Sequence, residues 1–216
     1  MTATHKAARL QTFVVIDFET TGLSPAHGAR PTEIAAVLVH NGKIQDSYQS
    51  LMNPGVYIPY MIEQLTGISN DMVRVAPSVS TVMQEVGEFV GDYPLVAHNA
   101  AFDKKFWDAE FARIKIKRRQ AFICSLLLAR RVFPSAPSHK LSALATTLGL
   151  QGAKRYHRAL ADAEVTAHLL LHIKEELQQR YQLSQISHEL MLALQNVPRS
   201  QLSAYVAKYS AAQSSK

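Results

Sequence analysis

The sequence predicts an α/β sandwich, a mixed sheet flanked by helices. Three observations carry that prediction. Short apolar, β-branched runs fill the first half, and one of them is followed by an Asn-Gly pair. Segments with apolar residues three and four apart fill the second half. Strands and helices also mix along the chain instead of segregating.

The elements follow in order. Residues 13–16 (Phe-Val-Val-Ile) read as a buried strand that ends at Asp17. Residues 33–40 form a second strand; Asn41-Gly42 is the strongest short hairpin signal and returns the chain through a third at 43–51. Residues 53–77 hold Pro54, Gly55, Pro59, Gly67 and Pro77, and read as loop with a short helix around 60–65. Val79 to Phe89 has helical spacing and stops at Gly91. Leu95-Val96-Ala97 is a short strand, Ala100–Arg113 a helix, and 121–123 a further short strand. Segments 122–133, 140–148 and 159–180 are helical, with Gly149 and Gly152 between the last two. Beyond them, Ile186, Leu190, Leu194 and Val197 make one amphipathic stripe, and Leu202, Tyr205, Val206 and Tyr209 another. These read as helices packed on the domain's own back; the other reading is a docking segment for a partner protein.

At 216 residues the chain suits one domain with a short appendage. Residues 1–11 form an N-terminal segment, 12–180 the main domain, 181–209 a helical appendage, and 210–216 a small, polar tail expected to be disordered. Cys124, the single cysteine, leaves no internal disulfide and reads as a small core residue in an apolar helix. No apolar segment precedes residue 13 and no run is long enough to span a membrane, so no membrane association and a cytoplasmic location are expected.

Lys and Arg number 23 against 17 Asp and Glu, a net charge of +6. A basic surface attracts polyanions, nucleic acid above all. Arg113, Lys115, Lys117, Arg118 and Arg119 cluster, as do Arg130 and Arg131, and each cluster reads equally as a solvated face or a phosphate-contacting patch.

The acidic residues sit where apolar strands end. Asp17 and Glu19, two apart, share one face of a strand and repel each other. A divalent ion with a preference for oxygen ligands, Mg²⁺ or Mn²⁺, would compensate; a strand ending in solvent is the other reading. Thr20-Thr21-Gly22-Leu23 follows, with the small residues that let a backbone approach another group. Asp103 lies in the first turn of the helix after Leu95–Ala97, and Asp162 in the first turn of the long helix, places the helix dipole also favours for an ordinary acid. His157 lies in the loop before Asp162. His168 and His172, four apart with no third ligand, read as plain helix-face residues.

Val-Ile-Asp17-Phe-Glu19-Thr-Thr-Gly22, His98-Asn-Ala-Ala-Phe-Asp103 and His157 with Asp162 five residues on resemble the three motifs of the DnaQ-like exonuclease family, DEDDh branch. That family includes the proofreading subunit of bacterial replicative DNA polymerase, RNase T and oligoribonuclease. The resemblance spans roughly residues 12–175 and takes in Leu65-Thr-Gly-Ile and Pro137-Ser-His-Lys-Leu141. The sister branch has a tyrosine four residues before the last aspartate, where this chain has Arg158; Tyr156 is six before it.

The resemblance implies an RNase H-like fold with a five-stranded mixed sheet and a metal-dependent 3′→5′ exonuclease that releases nucleoside monophosphates. It implies two divalent ions, Mg²⁺ or Mn²⁺, held by Asp17, Glu19, Asp103 and Asp162, with His157 as general base. An imidazole, with an ordinary pKa of about 6.5, suits proton removal from water at neutral pH. The resemblance further places Thr20, Thr21, Gly22, Leu23, Leu65, Thr66, His98, Asn99 and Phe102 around the terminal nucleotide; Phe102 at helical spacing also reads as core. Glu33 stays outside this expected site. DNA is the expected polymer, since oligoribonuclease has Met where this chain has Thr20. An RNA 3′-end trimmer is the alternative, and a silent nucleic-acid-binding accessory a third reading. A polymerase or sliding clamp is the protein partner considered, Gln201-Leu-Ser-Ala-Tyr205 faintly resembling a clamp-binding pentapeptide.

Overall fold

A computed structural model describes residues 12–150 and 157–214. The expectations placed on residues 1–11, Gly152, Tyr156 and residues 215–216 lie outside the described residues. The first strand, β1 (Thr12–Thr20), pairs antiparallel with β2 (Pro31–His40), which pairs antiparallel with β3 (Lys43–Leu51). On its other edge β1 meets β4 (Leu95–Ala97) in parallel, and β4 meets β5 (Phe122–Cys124) in parallel. The sheet order is β3-β2-β1-β4-β5, the five-stranded mixed sheet expected.

β1 does not stop at Asp17 as its apolar run suggested. Asp17, Phe18 and Glu19 stay in register with Ala35, Ile34 and Glu33, because the ladder is made by backbone groups and tolerates acidic side chains.

Helices complete the layers. α1 (Tyr60–Thr66) ends at Gly67, which adopts the left-handed conformation at φ 71. α2 (Asn70–Arg74) lies in a segment read from sequence as loop; Ser69 caps it by accepting from the Met72 amide. α3 (Val79–Val90), α4 (Ala101–Arg113), α5 (Ser125–Val132), α6 (Leu141–Leu148) and α7 (Ala159–Tyr181) follow. β5 meets the short strand expected near 121–123, so the helix expected from residue 122 begins only at Ser125. Cys124 therefore ends a strand and does not sit in a helix, though it is buried in the core.

The sheet separates two cores, as strand alternation requires. Val14, Ile16 and Phe18 pack against Val82, Met83, Phe106 and Trp107 of α3 and α4. Phe13 and Val15 face the other way, toward Ala163, Ala167, Leu170 and Ile173 of α7. Ala159, Ala163 and Ala167, four apart and fully buried, let α7 lie close against the sheet.

α8 (His188–Leu194) and α9 (Leu202–Ser214) bury Leu190, Met191, Leu194, Leu202 and Val206 in the same core as Phe13. His188 Nε2 donates to the Thr12 carbonyl at 2.7 Å. α9 runs through residues 210–214, where composition predicts disorder; Ala211 and Ala212 are strong helix formers and carry it on. Among the described residues no helix is long and apolar enough to cross a membrane.

Replacing Ala163 with Leu forces three extra heavy atoms between α7 and the sheet. It lowers stability by about 1–3 kcal/mol in chemical denaturation; an unchanged midpoint would mean that α7 is not closely seated.

Candidate active site

On β1, Asp17 and Glu19 continue the Phe13–Val15 face and so point toward α7. Asp103, in the first turn of α4, reaches up from the opposite layer. It is 2% exposed, and its Oδ1 accepts the Phe18 amide at 3.2 Å. Asp162, in the first turn of α7, accepts the His157 amide through Oδ2 at 3.0 Å. Its Oδ1 is buried with no hydrogen-bond partner. His157 is exposed on a left-handed backbone, φ 65.

These four carboxylates disturb one another's ionisation. Burial, then Asp103, Glu19 and Asp162, hold the Asp17 carboxyl well above its usual range. Burial and then Asp162 push Glu19 up to about 8, against the opposing pull of Arg158. Burial carries Asp103 to about 7, and burial also raises Asp162. One ligand atom each from Glu19, His157 and Asp162 lies within 4.8 Å of the others. Oxygen-rich donors, an orphaned buried Asp162 oxygen and strong mutual repulsion all fit a hard divalent cation.

Glu33, set aside on sequence, is part of this frame. It faces Glu19 across the β1–β2 ladder and is fully buried. Its carboxylate accepts Arg158 Nη2 at 2.7 Å and Nε at 3.1 Å, Gln49 Nε2 at 2.8 Å and the Ala159 amide at 3.1 Å. Those bonds pin the start of α7 to β2, and with it His157 and Asp162. The available sequence signal was a glutamate at the head of an otherwise apolar strand.

A matching clamp holds the loop after β1. Arg30 grips buried Glu110 through Nε at 2.9 Å and Nη2 at 3.1 Å, while its amide donates to Thr21 Oγ1 at 3.0 Å. Neither Arg30 nor Glu110 stood out in the sequence.

The residues expected around a nucleotide divide. Leu23 and Leu65 are exposed, 81% and 52%, and free to meet a ligand. Thr20 spends its hydroxyl on the Gly22 carbonyl, and Thr66 on Ile62. Gly22 leaves room on its Cβ side, with Ala29 the nearest atom at 3.4 Å. His98 is a strut: Nε2 donates to the His139 carbonyl at 3.0 Å, leaving Nδ1 to accept from Ser125 at 2.9 Å. Burial lowers its pKa to about 4, so it is neutral. Asn99 lines a groove of about 830 Å³ that also borders His157 and Asp162. Phe102 is half-buried and packs on Phe106, ring centroids 5.1 Å apart. Outside the site, His172 stacks on Phe133.

The exonuclease family model (RNase T) matches residues 14–170. The DNA polymerase III epsilon subunit of Aquifex aeolicus is 39% identical over 171 residues, 79% of this chain and 84% of that protein. The PolC-type DNA polymerase III of Bacillus cereus is 39% identical over 168 residues, 77% of this chain; the chain spans only 12% of that relative's length. Among solved structures, exonuclease X in complex with 5′-overhanging duplex DNA superposes with a TM-score of 0.67 at 28% identity, covering 85% of this chain and 99% of that one. The nuclease domain of 3′hExo, a DEDDh member bound to rAMP, has a TM-score of 0.65 at 22% identity over 79% of this chain and 93% of its own, a likeness of fold. The architecture is RNase H-like.

Two predictions follow from the charges. The raised carboxyls keep protons in the metal-free folded state that the unfolded chain releases near pH 4. In EDTA the melting temperature therefore falls as pH rises from about 4 toward 8, the upper end being set by Glu19 near 8. Asp103→Asn flattens the decline; a wild-type curve level across that range would show the cluster is not repulsive. Arg158→Ala leaves Glu33 buried without its counter-ion and costs about 2–3 kcal/mol, the low end because Arg158 is 31% exposed. The same change costs less in a Glu33→Gln background, as a urea double-mutant cycle reads directly.

Proposed function

The chain belongs to the exonuclease family, and we propose that it hydrolyses the terminal phosphodiester of nucleic-acid 3′ ends, releasing nucleoside monophosphates, with DNA as the favoured polymer. The single observation that supports this most is the meeting of Asp17, Glu19, Asp103 and Asp162 beside His157 at one end of the sheet. In this reading the four carboxylates hold two divalent ions, Mg²⁺ or Mn²⁺. Such ions, when bound, supply positive charge to the phosphodiester and acidify the attacking water.

The protein's own groups do the rest. His157, exposed and held by its amide on Asp162, takes the proton from the attacking water. The Glu33–Arg158 pair, with the Ala159 amide on the same carboxylate, keeps that histidine at the carboxylates. Leu23 and Leu65, both exposed, are the apolar side chains proposed to meet an unstacked terminal base. Asn99 and the neutral, doubly bonded His98 shape the groove wall.

DNA is favoured because the Aquifex relative is a DNA polymerase III subunit and exonuclease X was solved on duplex DNA. RNA 3′-end trimming is the second reading, supported by the RNase T family model. A polymerase partner is proposed by the same analogy. The segment 201–205 is not assigned to a clamp, because Leu202 is buried in the core and lies on α9.

The deciding experiment is a time course on 3′- and 5′-labelled single-stranded DNA and RNA with Mg²⁺, Mn²⁺ or EDTA. Mononucleotides should leave the 3′ end in a metal-dependent reaction that Asp17→Asn abolishes; binding without cleavage in either metal would return the chain to the accessory reading. His157→Ala should lower kcat by roughly 10²–10⁴-fold while leaving calorimetric metal affinity intact. A parallel loss of metal affinity would make His157 a ligand and not the base.

A further inference from the structure

We infer that Arg130 and Lys140 form a binding site for the phosphate one linkage upstream of the bond to be cleaved. This deepens the nuclease reading above and rests on it. Both side chains line the groove of about 830 Å³ that Asp162 and His157 also line. One groove thus presents a carboxylate of the acidic cluster together with two cations. A polyanion entering it meets whatever cations the carboxylates hold at its terminal phosphodiester and basic side chains beyond.

The two cations are uncommitted. Arg30, Arg118, Arg158 and Arg180 each meet a carboxylate, but among the described residues neither Arg130 nor Lys140 has an acidic partner. The contrast with the next residue is direct. Arg131 spends its guanidinium on the Val197 and Leu127 carbonyls at 2.6 and 2.7 Å, fixing α5 to the C-terminal segment. Arg130, on the same helix, has no such bond and is exposed to the groove.

The wall that carries these cations is built firmly. His98 donates to the His139 carbonyl at 3.0 Å, and the His139 ring donates to the Phe133 carbonyl at 3.0 Å. Residue 139 is thereby tied on both sides, and Lys140 follows it directly as the residue capping α6. The basic cluster 113–119 is not a rival for this role. It feeds β5 from its N-terminal end, whereas the carboxylates lie at the C-terminal ends of the parallel strands β1 and β4. Within it, Arg118 is already paired with Asp108 at 2.6 Å.

The chemistry predicts a split by substrate. The p-nitrophenyl ester of thymidine 5′-monophosphate carries the bond to be cleaved but no upstream phosphate. A short single-stranded oligonucleotide carries both, and the same oligonucleotide with a neutral methylphosphonate at the second linkage lacks only the upstream charge. The full chain is assayed with saturating Mn²⁺ on all three, beside the Arg130→Ala/Lys140→Ala double variant. On the normal oligonucleotide the variant should lose kcat/KM by about tenfold more than it loses on the ester, chiefly through KM. Wild type should lose a similar factor on the methylphosphonate, and the variant should barely distinguish the two oligonucleotides. The dependence of log KM on log salt should flatten by about 1.4, roughly 0.7 for each cation on a single strand. Arg130→Lys with Lys140→Arg should keep the wild-type slope. Equal losses on ester and oligonucleotide, or a variant that still discriminates the methylphosphonate fully, would overturn the subsite while leaving the nuclease reading standing. A wild-type chain inert on ester and oligonucleotide alike would overturn the nuclease reading, and the subsite with it.

Discussion

Everything near the site answers one constraint: four carboxylates must be held close together although each makes the others harder to ionise. No single element could do this. Asp17 and Glu19 come from the central strand, Asp103 from a helix in one layer and Asp162 from a helix in the other. The two cores that press those helices onto opposite faces of β1 therefore oppose the repulsion at its end. Binding energy that a cation would contribute is stored beforehand as electrostatic tension, maintained by apolar packing well away from the acids.

The tension is steered by two glutamate–arginine pairs whose carboxylates are buried. Glu33 with Arg158 secures the chain segment before α7, and Glu110 with Arg30 secures the loop after β1. Each joins an irregular segment to a regular element, so the loops inherit the rigidity of the sheet and of α4. Buried pairs of this kind contribute little net stability on their own; what they contribute is a defined geometry. Glu33 has an added effect, since its charge helps to raise the neighbouring Glu19 carboxyl while Arg158 pulls it back down.

Much of this was legible in the sequence, for identifiable reasons. The hairpin at Asn41-Gly42, the short strand at Leu95–Ala97 and the helix from Ala159 all announce themselves through turn chemistry or periodicity, which are local. The acids were visible because charged residues at the ends of apolar strands conflict with their surroundings. What escaped notice depends on contacts distant in sequence. Glu33 and Arg158 are 125 positions apart, and no periodicity links them. The continuation of β1 past Asp17 escaped for a related reason: its partner, β2, supplies the pairing, and nothing in residues 17–20 alone discloses it. His98, expected beside the terminal nucleotide, lines the groove with its ring engaged on both sides, a fact only the positions of Ser125 and residue 139 reveal.

The left-handed backbone at His157 has a consequence for how such a chain changes over generations. Glycine and asparagine occupy that conformation more readily than histidine does. Histidine and asparagine codons differ by one base, so a substitution that relaxes the backbone and removes the imidazole is always a single mutation away. Selection for folding alone would let it spread. If His157 is the proposed base, its persistence on a backbone that suits asparagine better would be a record of use.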